Sequence, residues 1–372
     1  MRVGIDAVPF ALESAGIARY LSSVLTELQQ LDTDTEFLLY TPVPINVPLV
    51  RGNWRVRMAP GRLRVWPSLW AQLTLPGLLA ADGVDAFWGQ PTNMPIRLLQ
   101  KCFRLLTLHD LVPYVCPESM KVRSWLRMRT LLRPVATAAD VVIADSKSTA
   151  DLGRRYLGLD GRKIRVVYAA SPSFMQPVPK AEARATVARE FGINREYVLC
   201  VSTIEPRKDH LTLLSAVASL PQAPLVVLAG GVGWRCGGIL AEICEQERIG
   251  RVRFVGRVDD RWLSTLYSGA KLSVYPSLYE GFGLPVLEAM ACGCPVVCSD
   301  SSSLPEVGGR AAAYFRTGDS RDLSQTLASL LPNQHRLELM SSAGLAHAQR
   351  FSFRRAAEEI SAIIQEGVLA RG

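Results

Sequence analysis

The sequence predicts an α/β protein made of two doubly wound, Rossmann-like parallel-sheet domains. Three observations lead there. At 372 residues the chain exceeds the size at which a single hydrophobic core stops growing. Short β-branched runs alternate with helical patterns, as in parallel sheets covered on both faces. The alternation is interrupted by a proline-rich segment, SPSFMQPVPK at 171–180, and then begins again.

The first series of strands reads RVGIDA (2–7), EFLLY (36–40), VDAFW (84–88), FRLLTL (103–108), DVVIA (140–144) and IRVVY (164–168). Helical patterns lie between them at 16–30, 120–139 and 146–157. The second series reads YVLCVS (197–202), PLVVLA (224–229), VRFVG (252–256), AKLSVY (270–275), CPVVC (294–298) and AAAYF (311–315). The last stretch, FSFRRAAEEISAIIQEGVLARG, is an amphipathic helix with no strand after it, so it is expected to return and cover the first domain. The division is therefore 1–172 plus the C-terminal helix 354–372 for one domain, and 173–353 for the other. In such folds ligands bind outside the carboxyl ends of the strands, which directs attention to a few strand ends.

Composition narrows the classes. Apolar residues make up 48% and charged residues 20%, a globular composition. No run approaches the ~18 apolar residues that cross a bilayer. The opening MRVGIDAVPF reads as a strand and not as a signal peptide, so a cytoplasmic location is expected. Of the eight cysteines, Cys292, Cys294 and Cys298 cluster without a histidine at zinc-site spacing, and buried free thiols are the expectation.

The charge is unevenly placed. Residues 1–180 hold 22 Lys/Arg against 14 Asp/Glu, whereas residues 181–372 hold 20 of each. Arg51, Arg55, Arg57, Arg62 and Arg64 are interleaved with Trp54, Trp66 and Trp70, and KVRSWLRMRTLLRP at 121–134 is basic and apolar together. Such segments suit nucleic acid or an anionic lipid surface, or else form a solvated face. Asp32-Thr33-Asp34 imitates a metal-binding Asp-x-Asp, but it lies in a turn between a helix and a strand and reads as solvated.

The strongest chemical signal is YPSLYEGFGLPVLEAMACGCPVV, 275–297. A strand runs into a loop carrying Glu280, Gly281, Phe282 and Gly283, and a helix starts near Leu284 with Pro285 in its first turn. Free N–H groups and the helix dipole suit that point to phosphate, and the glycines allow close approach. Glu280 and Glu288 would repel a phosphate, so hydroxyls of a sugar and a ribose are their natural partners. An ordinary strand-to-helix connection with an acid near the helix start fits the spacing equally well.

STIEPRKDH, 202–210, ends a strand in a turn bearing Arg207 and Lys208, a pair that can neutralise a diphosphate or form a surface salt bridge. His109 and Asp110 directly follow strand FRLLTL; the histidine is placed for proton or hydrogen-bond work, and capping of the next segment is the alternative. Ser14, Ala15, Gly16 and Ile17 lie between the first strand and an amphipathic helix.

Glu280 to Glu288 with EGFGLPVLEA, followed by ACGCPVV, resembles the E-x7-E signature of retaining glycosyltransferases of family 4. The resemblance is firmest over 197–308, and the opening MRVGIDAVPF…SAGIARY is similar to the branch of bacterial mannosyltransferases of polysaccharide and O-antigen assembly. It implies a GT-B fold with two domains facing a cleft, a donor bound mainly by the C-terminal domain, and no required metal or other cofactor. By position, Glu280 is then expected on the donor sugar hydroxyls and Glu288 on the ribose. The backbone of Phe282, Gly283 and Leu284 is expected on the diphosphate, with Arg207 and Lys208 beside it, and His109 on the transferred sugar. FVGRV, 254–258, implies that Val255 and Gly256 read the base. The family's glycine-rich loop maps to Gly16, although this chain has a single glycine there.

The reaction implied is transfer of a hexose with retention, with GDP-mannose as preferred donor and UDP-sugars open. The acceptor implied is a saccharide, lipid-linked at the inner face of the membrane, with the basic first half giving peripheral contact with anionic lipid. A soluble transferase acting on a small molecule and a non-catalytic nucleotide-sugar-binding partner are the rival classes. Nucleic-acid binding leaves the E-x7-E loop idle, and a dinucleotide oxidoreductase lacks G-x-G-x-x-G after the first strand.

Overall fold

A computed structural model of the chain describes residues 1–11, 15–47, 49–59 and 66–371. The chain divides into two units, Met1–Tyr114 with Val122–Ala169 and Ser352–Gly372, and Val115–Lys121 with Ala170–Phe351. The short segment Val115–Lys121 thus groups with the second unit, whereas the sequence reading had placed it in the first. Arg235 ties it there by donating from Nη1 to the Glu118 carbonyl at 2.5 Å.

In the first unit the strands are β1 (Arg2–Asp6), β2 (Glu36–Thr41), β3 (Trp54–Met58), β4 (Ala86–Gly89), β5 (Phe103–Leu108), β6 (Val141–Ala144) and β7 (Ile164–Val166). They form one sheet in the order β3-β2-β1-β4-β5-β6-β7, with every pairing parallel. The second unit has β8 (Tyr197–Val201), β9 (Leu225–Ala229), β10 (Val252–Gly256), β11 (Leu272–Tyr275), β12 (Val296–Ser299) and β13 (Ala312–Phe315). Their order is β10-β9-β8-β11-β12-β13, again all parallel. The strand order reverses between β1 and β4 in one sheet and between β8 and β11 in the other. Those reversals open crevices at the strands' carboxyl ends.

Burial explains the continuous apolar runs. β4 and β9 are buried at every position, because helices cover both faces. The core of the second unit gathers Val198, Val226, Leu272, Val274 and Val297 from its strands with Leu213, Leu327 and Leu337 from its helices.

The C-terminal helix, Phe353–Leu369, joins the first unit, as its amphipathic pattern predicts. Phe353 meets the Tyr20 ring edge-on at 6.0 Å, and Arg371 donates to Asp140 Oδ1 at 2.5 Å and to the Cys102 carbonyl at 2.9 Å.

The structure corrects two expectations. Strand β3 occupies part of the segment taken as a basic, tryptophan-bearing surface. Trp54 is buried, stacked on Phe37 at 4.0 Å, and Trp70 is 1% exposed, so of the three tryptophans only Trp66 is largely exposed. Arg57 meets Asp82 at 2.9 Å and Arg55 approaches Glu36 at 3.7 Å, so Glu36 and Asp82, between which the sequence holds no acid, fold back onto the segment. Arg62, Arg64 and Ser14 lie outside the described residues. The other concerns Gly16, which sits in the first turn of helix Ala15–Leu31: the structure has the plain helix start that the pattern at 16–30 predicts, at the point where the resemblance maps a glycine-rich loop. Among the described residues no helix is long and apolar enough to cross a membrane, and no cluster of three metal-binding side chains forms.

Candidate functional site

In the second unit, residues from neighbouring strand ends are drawn together. After β8 the chain makes a turn at Pro206–Lys208, then passes Asp209 in a left-handed conformation (φ 48°) into helix His210–Ala218. After β11 it runs through Ser277, Leu278 and Tyr279 to Glu280. The two loops are bonded directly: the Leu278 N–H donates to the Arg207 carbonyl at 2.8 Å, and Arg207 Nη1 donates to the Tyr279 carbonyl at 2.7 Å. Because β8 and β11 are adjacent, a residue pair 72 positions apart in sequence becomes a contact.

That contact is an ion cluster. Lys208 Nζ donates to Glu280 Oε1 and to the Tyr275 hydroxyl, both at 2.6 Å, and Tyr275 in turn donates to Glu280 Oε1 at 3.0 Å. Arg207 reaches Glu280 Oε2 at 3.1 Å and Glu205 Oε1 at 2.7 Å. The Lys208 and Glu280 side chains are only 11% and 9% exposed, so the charges are largely desolvated. Burial would raise the Glu280 pKa, but Arg207 and Lys208 outweigh it and hold the carboxyl at about 2. Burial, reinforced by Arg207, lowers the Lys208 pKa against the pull of Glu280. The same burial, with Lys208 nearby, pushes His210 down to about 4, so its imidazole is neutral.

Serines hold the Glu280 loop in place. The Glu280 N–H donates to Ser302 Oγ at 2.8 Å, and Ser303 Oγ donates to the carbonyls of Glu280 and Phe282 at 3.1 and 2.7 Å. Gly283 then takes a left-handed conformation (φ 106°) as N-cap of helix Leu284–Ala291 and has no side chain to cap it. A Cβ there would lie 2.7 Å from Leu304 Cδ2, so glycine is required on two counts. Glu288, in the second turn of this helix, is 1% exposed and accepts from the Tyr267 hydroxyl at 3.4 Å.

Val255 and Gly256 lie where β10 shifts register against β9. Gly256 is left-handed (φ 69°), and its carbonyl accepts the Gly230 N–H at 2.7 Å. Gly230 approaches the Ser202 backbone so closely that any Cβ would collide with it. The ends of β8, β9 and β10 are thus fixed to one another.

In the first unit, His109 follows β5 directly. Its Nδ1 is 2.6 Å from Asp145 Oδ2 and its Nε2 is 2.8 Å from Gln90 Oε1, while the Tyr20 ring packs edge-on at 5.1 Å. Burial opposes charge on the ring, but Asp145, and more weakly Asp110, prevail and raise its pKa. Asp110 also accepts the Val112 N–H at 3.1 Å, so the local turn expected of it is present as well. Asp6, at the end of β1, is pushed up to about 7 by burial, against the Val8 N–H that it accepts at 3.0 Å. Gly16 is exposed, and among the described residues a Cβ there would meet nothing within 4 Å.

The sequence reading picked out Arg207, Lys208 and Glu280, and the structure brings those three together. It missed Tyr275, Ser302, Ser303 and Glu205 around them, and Gln90, Asp145 and Tyr20 around His109. Tyr275 and Asp145 each carried a signal, since each stands at the carboxyl end of a strand.

Two parallel sheets of seven and six strands, each with a reversal of strand order, give the GT-B architecture. Residues 185–347 match the glycosyl transferases group 1, and residues 14–170 match glycosyltransferase family 4. The chain belongs to the family 4 glycosyltransferases. It is 34% identical over 254 residues to an O-antigen chain mannosyltransferase B of Escherichia coli, covering 66% of each chain. It is 32% identical over 222 residues to the serotype-specific mannosyltransferase WbdA of the same organism, covering 58% of this chain but 27% of that one. Among solved structures, sucrose-phosphate synthase from Thermosynechococcus elongatus aligns over 100% of both chains with a TM-score of 0.80 at 19% identity, a likeness of fold.

Proposed function

We propose that the chain transfers mannose, with retention, from GDP-mannose to a lipid-linked saccharide in the assembly of a bacterial surface polysaccharide. The observation that carries the reading is the desolvated Arg207–Lys208–Glu280 cluster at the ends of β8 and β11. A carboxylate held ionised accepts sugar hydroxyls, and the two cations beside it suit a diphosphate. The mannosyl donor is favoured by the mannosyltransferases to which the chain is similar.

In the proposed reaction the diphosphate oxygen leaves the anomeric carbon as the acceptor oxygen bonds to it on the same face, and a phosphate oxygen takes the acceptor proton. Arg207, Lys208 and the amides at Phe282, Gly283 and Leu284 stabilise the leaving charge, so no metal is needed. Glu280 and His109 hold the sugar, Glu288 binds the ribose, and Val255 and Gly256 read the base. Lipid contact is assigned to helix Val122–Ala138, where Val122 and Leu126 are exposed among Lys121, Arg123, Arg127 and Arg129.

Calorimetric titration of the full chain with GDP, UDP and ADP, followed by incubation with GDP-mannose, tests the reading. Binding of GDP with release of mannose supports it. Selective binding of UDP would move the donor to a UDP-sugar, and binding without turnover in the presence of a lipid-linked acceptor fraction would favour a non-catalytic partner.

A further inference from the structure

His109 is the residue of the first unit assigned to the sugar, and its usefulness depends on how its ring is held. We propose that Asp145 is the positioning residue of His109, fixing a ring proton on Nδ1 and, opposite Gln90 at Nε2, the plane in which the ring meets the sugar. The proposal rests on His109 acting in transfer, but the arrangement that carries it is visible without that reading.

The sheet itself creates the pair. β5 and β6 are adjacent and parallel, with Leu108 in register with Ala144, so His109 and Asp145 are the next residues side by side beyond the sheet. An ionised carboxylate only accepts hydrogen bonds, so the 2.6 Å contact at Nδ1 is an N–H donated by the ring. The His109 and Asp145 side chains are 11% and 6% exposed. A carboxylate so buried is satisfied by a directed partner, and its other oxygen, Oδ1, finds none among the described residues.

Asp145 does not cap the helix that follows it. The helix Lys147–Leu157 is capped by the following residue: Ser146 accepts the Thr149 N–H at 3.0 Å. The carboxylate is therefore directed at the histidine and not at a helix start. The opposite edge of the ring faces Gln90 Oε1 at 2.8 Å, supplied by the end of β4. The titratable groups around the ring are Asp145 from β6, Asp110 from the residue after His109, and Tyr20 from helix Ala15–Leu31. Asp145 is the one that bonds to it. With Nδ1 donating to Asp145, a charged ring donates from Nε2 to Gln90 Oε1, and the two contacts together fix the ring plane.

The test is nitrogen NMR of the full chain with ring-labelled histidine, the His109 signals being assigned by their loss in His109→Gln. The wild-type ring is expected to carry its proton on Nδ1 and to titrate above the ordinary value of 6.5. In Asp145→Asn the midpoint is expected to fall, with the Nε2–H tautomer gaining population. GDP binding and the melting temperature should stay close to wild type, while kcat/KM with GDP-mannose falls by about 10- to 100-fold. An unchanged midpoint and tautomer in Asp145→Asn would overturn the proposal, as would a wild-type ring unprotonated at Nδ1, which needs no variant to observe. If GDP-mannose is not the substrate, the ring measurement still decides the role of Asp145, so the two readings fail separately.

Discussion

Glu280 is the counter-charge of two largely buried cations, and that makes its substitution more than a loss of sugar contact. Glu280→Gln leaves Lys208 with the Tyr275 hydroxyl and Arg207 with Glu205. The expected cost is about 3 kcal/mol of stability, from a desolvated charge left without its partner. Chemical denaturation measures that cost, and turnover of GDP-mannose should fall by about 100-fold or more. The pH dependence follows from the lowered carboxyl. Its pKa drops on folding from 4.5 to about 2, so the stabilisation is complete above pH 4.5 and is lost as pH falls through 2. Wild type and Glu280→Gln should therefore converge in stability across that window. Glycine substitutions separate geometry from chemistry. Gly283→Ala meets both a left-handed backbone and Leu304, and should cost about 1–3 kcal/mol and weaken GDP binding. Gly16→Ala adds a methyl to open space within a helix and should stabilise by about 0.5–1 kcal/mol, measured in the same denaturation assay.

At the scale of elements, the strands with continuous apolar runs were legible because a parallel sheet buried on both faces demands such runs. Strand β3 was not. Its sequence, Trp-Arg-Val-Arg-Met, alternates, and it lies at the edge of the sheet with four of five residues exposed. Basic residues suit such an edge, yet in the sequence alone they suggest a binding surface. The E-x7-E loop was legible through its glycines and acids. Ser302, Ser303 and Gln90 were not, and Tyr275 and Asp145 showed only as strand ends, since the roles of all five depend on which strand ends become neighbours, and that is a property of sheet order. Helix Val122–Ala138 is where the lipid proposal can be tested as an element. Changing Lys121, Arg123 and Arg127, all exposed, to glutamate should abolish co-sedimentation with phosphatidylglycerol vesicles at low salt and leave GDP affinity unchanged. Undiminished sedimentation would remove this helix from the account.

Across the whole molecule, the two units differ in charge as they differ in proposed task. The excess of Lys/Arg belongs to the first half of the sequence, and the second half is balanced. In the second unit this balance is local too, because Glu205 and Glu280 face Arg207 and Lys208. In the proposed function a diphosphate would meet cations already held in place by carboxylates, so its binding would exchange existing contacts. The central claim is that this cluster holds the donor for transfer. The most direct measurement is NMR of GDP-mannose turnover by the full chain and by Lys208→Ala, with a membrane fraction as acceptor source. GDP release by the wild type, a newly formed α-linked mannose, and loss of about 100-fold or more in Lys208→Ala are the predicted results. Equal turnover by the two proteins would contradict the account.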